Sequence, residues 1–187
     1  GGRGEDALHG GAGDDTYRVD QAGDRVVEQT GSGTDKVFAP ITYQLGPHVE
    51  NLELQGWDPL AGMGNALDNR IVGNNGDNLL RGEAGDDTLE GGWGADSMEG
   101  GSGDDDYRVQ APGDAVSEVS GQGRDHVTST IDYTLPGNVE DLTLEGDRLL
   151  DGTGNGSGNT IAGTELDNTL LGKGGDDEVD GAAGDDE

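Results

Sequence analysis

Residues 1–18 read GGRGEDALH-GGAGDDTYR, two consecutive copies of Gly-Gly-x-Gly-x-Asp-x-apolar-x, and the pattern returns at 91–108 as GGWGADSME-GGSGDDDYR. Three further segments, GEAGDDTLE (82–90), GKGGDDEVD (172–180) and the truncated GAAGDDE (181–187), miss only at the second glycine. A frame this short, with glycines at fixed places, restricts the chain to brief elements joined by tight turns and stacked unit on unit. It also excludes helices, because 38 glycines recur too often for any uncapped run, each costing roughly 1 kcal/mol against alanine.

The repeat sits inside a larger one. Shifted by 90 residues, the chain matches itself at 42 of 90 positions without a gap. YRV-GD-V-E at 17–28 returns at 107–118, and I-Y-L-VE-L-L-G at 41–56 returns at 131–146. We therefore expect a single elongated domain, 1–187, built of tandem units 1–90 and 91–180 with a third begun at 181–187. Ninety residues are ten nonapeptides. Within 64–108 the frame is unbroken, and its eighth position holds Ile71, Leu80, Leu89, Met98 and Tyr107, read as one buried column on short strands. Between 19 and 63 the alternation survives (Val26; Val37; Tyr43 and Leu45; Leu52 and Leu54) but slips out of frame near Asp35, so less regular strand is expected there. The predicted fold is all-β, a parallel solenoid of about 18 residues per turn. At a strand spacing of about 4.8 Å, ten turns make a rod of roughly 50 Å.

Composition alone argues against any fold. Forty acidic and ten basic side chains leave a formal charge of -30, and Leu, Ile, Val and Phe make only 34 of 187 residues, values typical of disordered chains. Aspartates held in frame with apolar residues point instead to conditional order, in which a cation neutralises the carboxylates and a thin core closes. Such charge makes nucleic acid and anionic membranes poor partners. There is no cysteine for a disulfide or thiolate site, and no run nears the ~18–20 apolar residues of a membrane span.

Calcium takes six to eight oxygen ligands at about 2.3–2.6 Å, carbonyls as readily as carboxylates. Glycine gives the positive-φ backbone that turns carbonyls toward a common point. One loop supplies too few ligands, so a site needs two loops on neighbouring turns, eighteen residues apart. In these features the chain resembles the hemolysin-type calcium-binding (RTX, repeats-in-toxin) proteins, most closely at 1–18, 64–108 and 154–187. The resemblance implies a β-roll with several Ca²⁺ ions between turns, export from a bacterium by type I secretion, and folding on meeting extracellular calcium. It carries the metal-ligand role to Asp6, Asp15, Asp87, Asp96, Asp105, Asp177 and Asp186. The carbonyl donors come from the loop glycines Gly1, Gly2 and Gly4; Gly10, Gly11 and Gly13; Gly82 and Gly85; Gly91, Gly92 and Gly94; Gly100, Gly101 and Gly103.

The eighteen-residue rule ranks these sites. Loop 82–87 faces 100–105, placing Asp87 and Asp105 in one shell. Loop 91–96 faces the degraded loop ending in Asp114, and loop 1–6 faces Gly23 and Asp24. Asp15 meets the slipped region and is expected to be half-liganded. Asn69, Asn78, Asn159 and Asn168 hold the sixth position, where amide hydrogen bonds should replace the ion. Asp177 and Asp186 then face asparagines in weaker, mixed sites.

No HExxH or GxSxG pattern is present, and no catalytic role is expected of this segment. His9, His48 and His126 read as solvated loop residues. Trp57 and Trp93 could stack on sugars but more often cap a core, and the recurring Tyr17, Tyr43, Tyr107 and Tyr133 suggest packing. The position-five acids, such as Asp86 and Asp104, are expected to support rather than ligate. Two functions follow: a calcium-folded structural module of a secreted protein, or a segment of a carbohydrate-active enzyme, lipase, protease or adhesin that binds polysaccharide or a cell surface. Either has neighbouring domains or repeats of the same polypeptide as further partners. Residue 1 lies inside a repeat and residue 187 stops partway through one, so signals, caps and any catalytic domain are expected outside this segment.

Overall fold

A computed structural model describes residues 2–187; Gly1, expected above as a carbonyl donor, lies outside them. The described chain forms twenty strands of two to six residues and no helix. Alternate strands fall on opposite faces of a coil. One face is a continuous ten-stranded sheet running from Thr16–Arg18 to Glu178–Asp180, and the other is divided into sheets of two, five and three strands. Every strand pairs in parallel with the strand one turn away. The chain is the all-β solenoid its glycine frame predicts.

The register shows how the out-of-frame region is absorbed. On the continuous sheet Tyr17 pairs with Val37, which pairs with Leu52, then Ile71, Leu89 and Tyr107, giving turns of 20, 15, 19, 18 and 18 residues. The series begins again with Tyr107, Val127, Leu142, Ile161 and Val179. One 90-residue unit is thus five turns. The turns of 20, 15 and 19 residues together equal three regular turns, so the nine-residue frame is regained at Ile71.

The expected single column of position-eight residues is two columns. Ile71, Leu89 and Tyr107 stack on the continuous sheet, while Leu80 and Met98 stack on the opposite one. Each nonapeptide supplies one strand, so consecutive nonapeptides address opposite faces. All five are at most 2% exposed, and the interior between them is one side chain deep from each side. Where both columns bring large residues, the facing position shrinks to glycine: a Cβ on Gly62 would stand 3.1–3.3 Å from Leu52, Ile71 and Leu80, and one on Gly152 equally close to Leu170, Leu142 and Leu144. The 90-residue tyrosines pack as expected, with Tyr17, Tyr43 and Tyr107 buried and Tyr133 partly so.

The pleat fixes one comparison. Leu80 is fully buried and its neighbour Leu79 is 39% exposed. Leu80→Ala should cost about 2–5 kcal/mol and Leu79→Ala under about 0.5 kcal/mol, measured by urea unfolding at one saturating calcium concentration. Equal losses would contradict the register.

Candidate metal centre

Each strand of the continuous sheet is preceded by a side chain at the edge of the coil: Asp15, Asp35, Glu50, Asn69, Asp87, Asp105, Asp125, Glu140, Asn159 and Asp177. Each acid that has a counterpart one turn earlier accepts a hydrogen bond from its backbone N–H. Asp35 accepts from Asp15 (2.8 Å), Glu50 from Asp35 (2.8 Å), Asp87 from Asn69 (2.6 Å), Asp105 from Asp87 (2.8 Å), Asp125 from Asp105 (3.0 Å), Glu140 from Asp125 (2.9 Å) and Asp177 from Asn159 (2.9 Å). The opposite edge repeats the bond in Asp24 from Asp6, Asp96 from Asn78, Asp114 from Asp96 and Asp186 from Asn168. The exposed position-five acids bond the other way: Asp86 Oδ1 accepts from Asp104 N–H and Asp104 Oδ1 from Arg124 N–H, both at 2.8 Å.

Five of these inward carboxylates leave one oxygen unused. Oδ2 of Asp15, Asp35, Asp87, Asp96 and Asp105 is buried without a hydrogen-bond partner, and Asp35, Asp87, Asp96 and Asp105 are at most 1% exposed. An anionic oxygen without a partner is costly to bury. Desolvation accordingly pushes Asp87 and Asp105 up to about 7 and Asp96 and Asp125 up to about 6, and raises Asp35 as well. The opening glycine of each loop leaves room for this oxygen. A Cβ on Gly10, Gly82, Gly91 or Gly100 would overlap Oδ2 of Asp15, Asp87, Asp96 or Asp105 respectively, and at Gly82 it would also lie 2.6 Å from the carbonyl oxygen of Gly100. Glycines at the second and fourth positions serve conformation instead, as with Gly92 at φ +93° and Gly94 at φ +127°. A buried, all-oxygen donor set with charge to neutralise suits calcium; Asp87, Asp96, Asp105 and the glycine carbonyls would hold it, and the ion would supply the missing positive charge.

The structure brings together Asp87 with Asp105, Asp96 with Asp114 and Asp6 with Asp24. Asp24 and Asp114 differ from the rest, because Oδ2 of Asp24 accepts from Asp20 and Gln21 and Oδ2 of Asp114 from Gln110 and Ala111. The amides of Asp20, Asp6 and Gln21 hold Asp24 below the ordinary carboxylate range. Asp15, expected to be half-liganded, is faced by Asp35: the 20-residue turn carries Asp35 over it, so the region read as slipped delivers a carboxylate. Asp177 and Asp186 face Asn159 and Asn168 at the exposed last turn.

Asparagine turns satisfy themselves. Asn69 Nδ2 donates to the carbonyls of Val49 and Glu50, Asn159 Nδ2 to those of Val139 and Glu140, and Asn168 Nδ2 to that of Leu150. Second-position asparagines add to this, with Asn65 Nδ2 bonded to Gly46 and Val49 at 2.8 and 2.7 Å. Two other expectations need correction. His126 opens a strand rather than lying in a loop, its ring between Asp106 and Thr143 at 2.9 Å each, and Trp57 and Trp93 are 78% and 76% exposed instead of capping the core. Sequence reasoning missed Glu28, Asp35, Glu50 and their partners Glu118, Asp125 and Glu140. All six are identical across the 90-residue shift, a signal hidden because the uneven turns break the nine-residue frame.

The family model of the RTX calcium-binding nonapeptide repeat matches four stretches, 1–26, 63–98, 72–107 and 147–187, more than half of the chain. The chain belongs to the RTX calcium-binding repeat family. No curated protein and no solved structure matches it significantly. The RTX segments contain Asp6, Asp15, Asp87, Asp96, Asp105, Asp177 and Asp186, while the turns of 20 and 15 residues lie largely in 27–62 and 108–146, outside them.

The raised aspartates set a pH dependence for the calcium-free RTX coil. Their folded-state values exceed those of an unfolded chain, so the stability they confer is complete below about pH 4 and lost as pH rises through about 6 to 7. Acidifying a chelator-treated sample from pH 8 to pH 5 should increase the β signal in circular dichroism. A decrease would contradict the charge assignment.

Proposed function

We propose that this segment is a calcium-folded structural module of a secreted bacterial protein, a single elongated domain through 1–187. The observation that carries the reading is the row of buried aspartate oxygens without donors, four of the five set in stretches that match the RTX calcium-binding repeat. With a formal charge of -30, the metal-free chain repels itself and stays unfolded, a form suited to passage through a type I secretion channel. Outside the cell, millimolar calcium binds the folded coil alone and draws folding to completion. Asp87 with Asp105 leads the set of sites, followed by Asp96, Asp15 and Asp6; Asp24 and Asp114 contribute more as caps than as ligands, and Asp177 and Asp186 form mixed sites.

A second reading has one observation in its favour. Trp57 and Trp93 are exposed on loops aligned two turns apart, since Gly76 packs on the Trp57 carbonyl and Gly94 on the Gly76 carbonyl. Their spacing of two strand separations, about 10 Å, suits stacking on an extended polysaccharide. Retarded migration on a polysaccharide affinity gel, lost in Trp57→Ala with Trp93→Ala, supports this role; unretarded wild-type protein removes it.

Calcium titration followed by far-ultraviolet circular dichroism tests the main proposal: an unfolded spectrum in chelator should become β-rich by millimolar calcium. A spectrum that calcium leaves unfolded ends it. Asp87→Ala with Asp105→Ala should reduce the number of ions bound, by calorimetry. Asn78→Ala should lower stability, through lost amide bonds, and leave the ion count unchanged.

A further inference from the structure

The turns that escape the nonapeptide frame carry a cluster of their own. Carboxylate oxygens of Asp105, Glu118 and Asp125 lie within 4.8 Å of one another, and Asp15, Glu28 and Asp35 repeat the arrangement ninety residues earlier. Asp105, Glu118 and Asp125 are 1%, 8% and 2% exposed, and Asp35 and Glu28 are 0% and 8%. The second oxygens of Asp105, Asp15 and Asp35 have no hydrogen-bond partner, so the cluster holds buried donors that nothing in the protein satisfies.

The third carboxylate arrives by a local departure from the repeat. Glu118 stands eighteen residues after Gly100, where a regular nonapeptide opens with glycine, and its Oε1 accepts from the Gly100 amide at 3.3 Å and from the Tyr107 hydroxyl. The Tyr107 hydroxyl accepts from the same amide at 2.5 Å. Glu28 does the same one unit earlier, against the Gly10 amide and the Tyr17 hydroxyl. The two extra residues of the 20-residue turn then bring Asp125 over Asp105, and Asp35 over Asp15. Glu28, Asp35, Glu118 and Asp125 all fall outside the stretches matched by the family model.

We infer that Asp105, Glu118 and Asp125, and likewise Asp15, Glu28 and Asp35, form two additional calcium sites made by the 20-residue turns rather than by paired nonapeptide loops. Oxygens within 4.8 Å of one another fit on one calcium sphere, whose diameter is about 4.6–5.2 Å. Hard carboxylate donors beside a phenolic oxygen select calcium over the softer transition metals. Asp105 belongs to both kinds of site: its Oδ1 accepts from Asp87, leaving Oδ2 for an ion. The irregular turns would then be pinned at the places where the repeat is weakest.

The test compares the wild-type chain with Glu28→Gln/Glu118→Gln, in which the amide oxygen still accepts from tyrosine. By calorimetry with calcium the variant should bind two fewer ions, and circular dichroism should still report a β coil at saturating calcium. An unchanged ion count in a folded variant overturns the inference and leaves the nonapeptide proposal standing; a wild-type chain that calcium does not fold overturns that proposal instead. Should the double variant not fold, Tyr17→Phe/Tyr107→Phe decides. Terbium emission excited through tyrosine should fall at least twofold in that variant, and emission at the wild-type level overturns the inference.

Discussion

At each turn corner a buried side chain must place one oxygen on a backbone amide and dispose of whatever its other atoms bring inside. Asparagine does both with its own atoms: Oδ1 accepts from an amide four residues earlier in its own loop, as Asn69 does from Asn65, while Nδ2 donates to carbonyls of the earlier turn. Aspartate accepts equally well but leaves an anionic oxygen, as at Asp87, Asp96 and Asp105. Two unit charges one strand spacing apart repel by roughly 3 kcal/mol at an effective dielectric near 20. A row of them needs protons or cations. The sequence of amides and acids along each edge therefore divides the coil into turns that stand alone and turns that require an ion.

The same corner bond explains why turn length can vary. The 15-residue turns end in Glu50 and Glu140, and these side chains, one methylene longer than aspartate, still reach the amides of Asp35 and Asp125. The 20-residue turns end in Asp35 and Asp125 and bond the amides of Asp15 and Asp105 at 2.8 and 3.0 Å. Loop length changes while the edge contact and the strand register persist. The turns that break the nonapeptide also assemble the three-carboxylate clusters, so irregularity and added acidity coincide.

Much of this was legible in the residues. Glycine spacing gave the parallel solenoid and its 18-residue turn, the position-eight residues gave the core, and position six gave Asp87, Asp96 and Asp105. What stayed hidden depends on three-dimensional phase. A nine-residue period does not say that neighbouring strands face each other across the core, so two columns read as one. Nor does a frame slip reveal whether the lost register is recovered, which is why Asp15 read as half-liganded although Asp35 lies one turn beyond it. Glu28 and Glu118 recur faithfully in the 90-residue comparison, yet only their approach to Tyr17 and Tyr107 shows that they point inward.

The central claim is that calcium neutralises the unpartnered oxygens of the edge aspartates. Anomalous diffraction from crystals grown in calcium measures this directly. The account predicts anomalous peaks about 2.3–2.6 Å from Oδ2 of Asp87, Asp96 and Asp105, and none beside the amides of Asn69 and Asn78. An ordered coil in which those aspartate oxygens contact only water or protein would contradict it.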